Sequence, residues 1–116
     1  MPWLEQKVIK LALGTDVTQI LPTTDLKDMP NRVLVASCAG GTGKKGLADA
    51  DLEFGPSESG PWFGEDLAAS GIPTLAAGAS AVYRCTRTDR YARVTAKAAA
   101  GTDVCDLTIW FAAQGF

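Results

Sequence analysis

Residues 47–54 read LADADLEF, and their period decides the fold class. The apolar Ala48, Ala50, Leu52 and Phe54 alternate with Asp49, Asp51 and Glu53. A strand puts all three carboxylates on one face, whereas a helix scatters them around its axis. Two later segments repeat the pattern. In RYARVTAKA (90–98), Ala92, Val94, Ala96 and Ala98 face away from Arg93, Thr95 and Lys97. In DVCDLTIWFAA (103–113), Cys105, Leu107, Ile109 and Phe111 oppose Asp106, Thr108 and Trp110.

Between such runs lie turn formers about every dozen residues: LGTD, LPTTD, DMPN, AGGTGKKG, GPSESGP, SGIP, AAGAS, RTDR and AAAGTD. The expectation is an all-β chain, a single antiparallel β-sandwich of jelly-roll or Greek-key type with seven to eight short strands. They begin near Val8, Thr18, Arg32, Ala48, Ile72, Ala81, Arg90 and Asp103. The last three are expected to form hairpins, because TD (88–89) and AAGT (99–102) have hairpin-turn length. FGEDLAASG (63–71) is the one stretch where a short helix, stopped by Gly71, competes with an irregular loop. The whole of 1–116 reads as one domain, with 1–7 an N-terminal interaction arm ahead of the first strand.

Composition narrows the function classes. Of 116 residues, 47% are hydrophobic and 21% charged, and mean hydropathy is +0.06, which describes a folded, soluble chain with enough core to need no disulfide staple. A formal charge of -2 gives no electrostatic basis for binding nucleic acid or an anionic membrane. No apolar run approaches the ~20 residues of a membrane span. MPWLEQKVIK lacks the basic start, apolar centre and cleavage site of a signal peptide, so folding in a cytoplasm is expected. Cys38, Cys85 and Cys105 are odd in number, have no C-x-x-C spacing and sit in apolar runs; free, buried thiols are expected.

The motif GTGKKG (41–46) spells the dinucleotide pattern G-x-G-x-x-G, and the strand-like RVLVAS (32–37) precedes it. That pattern works because a helix begins there and presents its amides to a pyrophosphate. Here the successor is a strand that ends at Gly55-Pro56, so the nucleotide reading fails. The P-loop reading fails as well, with Cys38 in place of its first glycine and Lys45 in place of the Ser or Thr that holds magnesium. The loop is instead expected as an exposed hairpin tip whose Lys44 and Lys45 touch an acidic partner surface. Asp49, Asp51 and Glu53 suggest a hard-cation loop, but the glycine of that motif falls at Phe54 and its bidentate acid at Gly60. With no histidine, the usual general base and zinc ligand are missing. No catalytic residue, cofactor or metal ligand is assigned. Interface residues are, with the two lysines, Trp62 and Phe63 in GPWFG and Trp3 near the N-terminus. A glycan-binding module built around Trp62 is the alternative.

The succession ADADLEFGPSESGPWF, GIPTLAAGASAVYRC and DRYARVTAKAAAGTDVCDLTIWFAA, from Ala48 onward, resembles small β-sandwich structural proteins of tailed-bacteriophage virions. In those chains an acidic strand leads to a loop ending in Gly-x-Trp, a TL-x-AG turn follows, and a Tyr-x-Arg-Val strand pairs with the last one. The resemblance implies a non-enzymatic virion component, of capsid cement or decoration type. It implies as partners the major capsid protein or other virion subunits, and a homo-oligomer, a trimer above others. A head-tail, tail or baseplate component is a further alternative. The residues up to Asn31 match nothing in that pattern.

Overall fold

Strands that turn one side inward must find a partner layer, and the computed structural model, which describes residues 2–115, shows how they do so. The strands are β1 (Trp3–Lys10), β2 (Thr18–Asp25), β3 (Asn31–Cys38), β4 (Leu47–Gly55), β5 (Phe63–Gly64), β6 (Ser80–Arg84), β7 (Tyr91–Ala98) and β8 (Leu107–Gln114). They build two four-stranded sheets, in the orders β1-β8-β3-β6 and β2-β7-β4-β5.

β1 pairs with β8, β2 with β7, β3 with β6 and β4 with β5, all antiparallel. This is a long hairpin rolled up on itself, closed by further pairing of β3 with β8 and β4 with β7. Such wrapping is the jelly roll, the first of the two topologies expected. Its consequence is that every connection except β4–β5 passes from one sheet to the other. The hairpins expected from TD and AAGT are therefore not hairpins: both segments cross between sheets, as short turns can when the sheets are about 10 Å apart.

Side chains of both sheets meet between them. Phe54, Leu52, Val94 and Leu21 come from one sheet, Phe111, Leu34, Ile109 and Leu107 from the other, all essentially inaccessible. The alternation of β7 and β8 holds residue for residue. That of β4 breaks at its start, since Leu47 is buried and Ala48 exposed. The register against β7 slips between Leu47 and Asp49, and this β-bulge turns Ala48 outward.

Three other expectations change. β1 begins at Trp3, five residues before Val8, and pairs with β8 from Trp3 opposite Gln114. The part of the 1–7 arm from Trp3 onward thus lies in an edge strand; Met1 is outside the described residues. The strand expected at Ile72 is a 3-10 turn, Ile72–Thr74, whose Ile72 plugs the core. The FGEDLAASG stretch holds a single 3-10 turn, Ala68–Ser70, stopped as expected by Gly71 in the left-handed region at φ 80. The third change concerns GTGKKG, which joins β3 to β4 and so crosses between sheets instead of forming a hairpin tip. Gly46 there passes so near the 3-10 segment that an added Cβ would lie 2.0 Å from the Leu75 carbonyl oxygen.

Among the described residues two buried strand positions are not apolar, Thr24, whose hydroxyl bonds the Pro22 carbonyl, and Arg32. Arg32, in phase with Leu34, Ala36 and Cys38 on β3, is only 6% exposed. Its Nε donates to the Met29 carbonyl at 2.7 Å, and its terminal nitrogens donate to the carbonyls of Arg87 (3.3 Å), Thr88 (3.4 Å) and Leu26 (3.5 Å). The guanidinium stands 5.2 Å from the centre of the Phe54 ring, which belongs to the other sheet. Burial lowers its pKa, partly offset by Cys85 and Asp89, but an arginine stays charged. Arg32 therefore ties both sheets to the β2–β3 and β6–β7 crossings.

Removal of this group should unfold the chain readily. Arg32→Ala is expected to cost about 3 kcal/mol, because charged hydrogen bonds are lost and buried carbonyls are left bare. Arg32→Lys should recover little of it, since an ammonium cannot reproduce the planar fork. Urea denaturation of the three proteins measures both.

Candidate interaction surface

The two outward faces of the sandwich differ in chemistry. On the β2-β7-β4-β5 side, β4 sets Asp49, Asp51 and Glu53 against Lys97, Thr95 and Arg93 of β7. Arg93 bonds Glu53 at 3.0 Å and covers the Trp62 ring at 4.2 Å. The Asp51 carboxyl is pushed up, first by burial and then by the like charges of Asp49 and Glu53. Among the described residues no three His, Cys, Asp or Glu side chains gather into a metal-holding group, and of the three acids on β4 it is Glu53 that forms an ion pair.

The β1-β8-β3-β6 side is far less charged. Reading across the register, its outward rows are Glu5, Ala112, Val33, Arg84; then Lys7, Trp110, Val35, Val82; then Ile9, Thr108, Ser37, Ser80. Val82 is 59% exposed and Ile9 57%, while Trp110, Val33 and Val35 are half-buried only by their neighbours on the sheet. Lys7 lies over the Trp110 ring at 5.3 Å. A shallow groove of about 330 Å³ runs between Trp3 and Arg84, floored by Val33 and Ala112. A second concavity, of about 560 Å³, lies at the Arg32 end beside Pro2, Met29, Pro30 and Arg90.

The residues singled out from sequence do not converge. Trp3 stands 69% exposed at the corner of β1. Phe63, in β5, is exposed but carries Arg87 over its ring at 4.7 Å. Trp62 is half-buried, with Arg93 on its ring and Gly60 so near that an added Cβ would be 2.9 Å from the indole. That indole thus has Arg93 stacked on its ring from within the chain. Lys44 and Lys45 lie at the other end and also bind inward. Lys44 pairs with Asp106 at 2.5 Å, and Lys45 donates to the Gly101 carbonyl at 2.9 Å. They clasp the β7–β8 crossing.

The sequence reading passed over Trp110, Val33, Val35, Val82, Glu5 and Arg84. A signal was present: RVLVAS is apolar in both phases, and a strand that is apolar on both sides asks for cover on both.

The thiols and the polar loops have structural work. Cys38, Cys85 and Cys105 are free; Cys38 and Cys105 are buried and Cys85 half-buried. Burial pushes the Cys38 and Cys85 thiols up to about 12, so both are protonated and unreactive at neutral pH. Glu65 accepts from the Tyr83 hydroxyl (2.7 Å), the Thr86 hydroxyl (2.9 Å) and the amides of Thr86 and Arg87 (2.8 Å each). Its carboxylate fastens the β5–β6 connection to the β6–β7 crossing.

The class that the topology defines is the eight-stranded jelly roll. No protein-family model matches the chain, and no curated protein matches it. Solved structures similar to it include a Bacillus endospore appendage protein from disulfide-linked pili, at TM-score 0.46 and 12% identity over 98% of this chain and 89% of that one. The SPBc2 prophage-derived protein YomS is similar at TM-score 0.45 and 10% identity, over 95% and 94%. Dimeric latent PorU from Porphyromonas gingivalis follows at 0.37 and 9%, where this chain spans 13% of the other. At these values the likenesses carry no argument about function.

Glu65 gives the surface loops an acid limit. Burial raises its pKa, but the bonds from Arg87, Tyr83 and Thr86 together outweigh burial and hold it below its ordinary 4.5. A depressed carboxyl contributes stability that is full above the unfolded value and lost as pH falls through the folded one. Melting temperatures measured from pH 7 down to pH 2 should therefore fall below about pH 4.5, and Glu65→Gln should flatten that limb while lowering the plateau.

Proposed function

We propose that this chain is a non-enzymatic structural component of a tailed-phage virion, working by contact with shell subunits and with copies of itself. The cement or decoration role is the form of that reading that the sequence pattern from Ala48 onward favours. One observation carries it: the jelly roll leaves an apolar strip, Trp110, Val35 and Val82, on an outward sheet face, with the Lys7 ammonium over the Trp110 ring and Val82 59% exposed. A contact protein needs a stiff scaffold and an unfilled surface. Many weak contacts repeated over one shell then add through multivalency. Jelly rolls host many functions, so the fold alone does not choose among them.

The test is binding to particles. Purified protein should pellet with phage heads that lack it, at a stoichiometry of hundreds of copies or a fixed multiple of the shell subunits. Pelleting of only a few copies would move the protein to the head-tail or baseplate region. No pelleting with heads, tails or whole particles would overturn the virion role.

A further inference from the structure

The uncovered face of β1-β8-β3-β6 is complementary to itself. Its first full row places Glu5 on one edge strand and Arg84 on the opposite edge strand, with Ala112 and Val33 between them. Among the described residues neither Glu5 nor Arg84 has an ion-pair partner within the chain, whereas Arg87, Arg90 and Arg93 all do. Now set a two-fold axis parallel to the strands, midway between β8 and β3, and lay a second copy face to face on the first. The axis keeps each row at its height and reverses its order. Glu5 then lies opposite the partner's Arg84, and Arg84 opposite the partner's Glu5.

The next row behaves as well. Reversal sets Trp110 over the partner's Val35 and Val35 over the partner's Trp110, while Lys7 lays its aliphatic stem on the partner's Val82. In the third row Thr108 meets the partner's Ser37, and no like charges coincide. Sheets pack face to face with strands within about 30° of each other, which this axis allows.

The edges do not offer the same opportunity. Of the four edge strands, β1 carries Glu5, Lys7 and Lys10, β6 is five residues long and ends in Arg84, β2 contains Pro22 and irregular register, and β5 has two residues, all of which oppose strand-to-strand extension.

We propose that this face binds a second copy of the chain in an isologous, two-fold dimer held by Trp110–Val35 packing and two reciprocal Glu5–Arg84 pairs. This names the occupant of the apolar strip on which the contact reading rests, and it replaces the trimer implied by the family resemblance. Four strands at about 4.8 Å spacing and the five residues that β6 contributes, at about 3.4 Å each, give roughly 330 Å² per copy, well under half of the ~800 Å² that stable complexes bury on each partner. The dimer is accordingly weak, formed at high micromolar concentration or when copies are held side by side.

Sedimentation velocity over a concentration series tests the geometry. Wild type should move from monomer to dimer mass, and Glu5→Arg and Arg84→Glu should each weaken dimerisation about tenfold or more by opposing like charges. An equimolar mixture of the two variants should regain it, because every contact across the heterodimer again joins an acid to a base. That recovery also shows both variants to be folded. A monomer at all concentrations up to about 1 mM, a trimer, or a mixture no better than its components would overturn the proposal. None of these outcomes depends on particle binding, so the dimer and the virion role can fail separately.

Discussion

A guanidinium inside a sandwich is the contact around which this structure closes. Arg32 comes from β3 of one sheet, lies over Phe54 of the other, and donates to carbonyls of the β2–β3 and β6–β7 crossings. Its acceptors are backbone oxygens, which take a charge-assisted bond without adding a second buried ion. In a rolled hairpin the strands paired at this end are far apart in sequence, as Trp3 and Gln114 show. Something has to hold the crossings in place where no local hairpin does, and Arg32 does so from the centre. Glu65 extends the arrangement outward by bonding the amides next to the Arg87 and Thr88 carbonyls that Arg32 uses.

The opposite end is closed by charge as well. Lys44 bonds Asp106, whose other oxygen accepts from the Ala12 amide, while Lys45 holds Gly101. The Gly-rich loop thus has a mechanical reason for its glycines. Gly46 must pass within contact of the Leu75 carbonyl, and Gly40 lies against Gly78, where an added Cβ would sit 2.8 Å from the Gly78 Cα. The G-x-G-x-x-G spacing is a by-product of the close passage at Gly46 and the left-handed Gly41 and Gly43.

What could be read from sequence was the direction of each side chain, and what could not was the destination of each strand. Alternation placed Ala92, Val94, Ala96 and Ala98 inside, and they are. It says nothing of which sheet a strand joins, so TD and AAGT passed for hairpin turns although each crosses the sandwich. Ala48 was placed inward because a bulge leaves no mark in the apolar pattern. Ile72 opened an apolar run, but Pro73 after it suits a 3-10 turn better than a strand. Arg32 sat in the inward phase of RVLVAS, and that phase was its only sequence signal. Of the interface residues chosen, Trp62, Lys44 and Lys45 proved to be engaged within the chain, and the aromatic at the centre of the open face, Trp110, had been read as merely the polar-side member of β8.

Two faces of one sandwich therefore carry different work: the β2-β7-β4-β5 side is closed by its own ion pairs, and the β1-β8-β3-β6 side is open. The three indole N–H resonances report on both faces in one spectrum, since Trp110 lies on the open side and Trp62 under Arg93 on the closed one. Recorded from dilute to concentrated protein, the Trp110 resonance should shift with concentration while that of Trp62 stays fixed. A shift at Trp62 with Trp110 unmoved would contradict the account, because contact would then be made by the face described as closed.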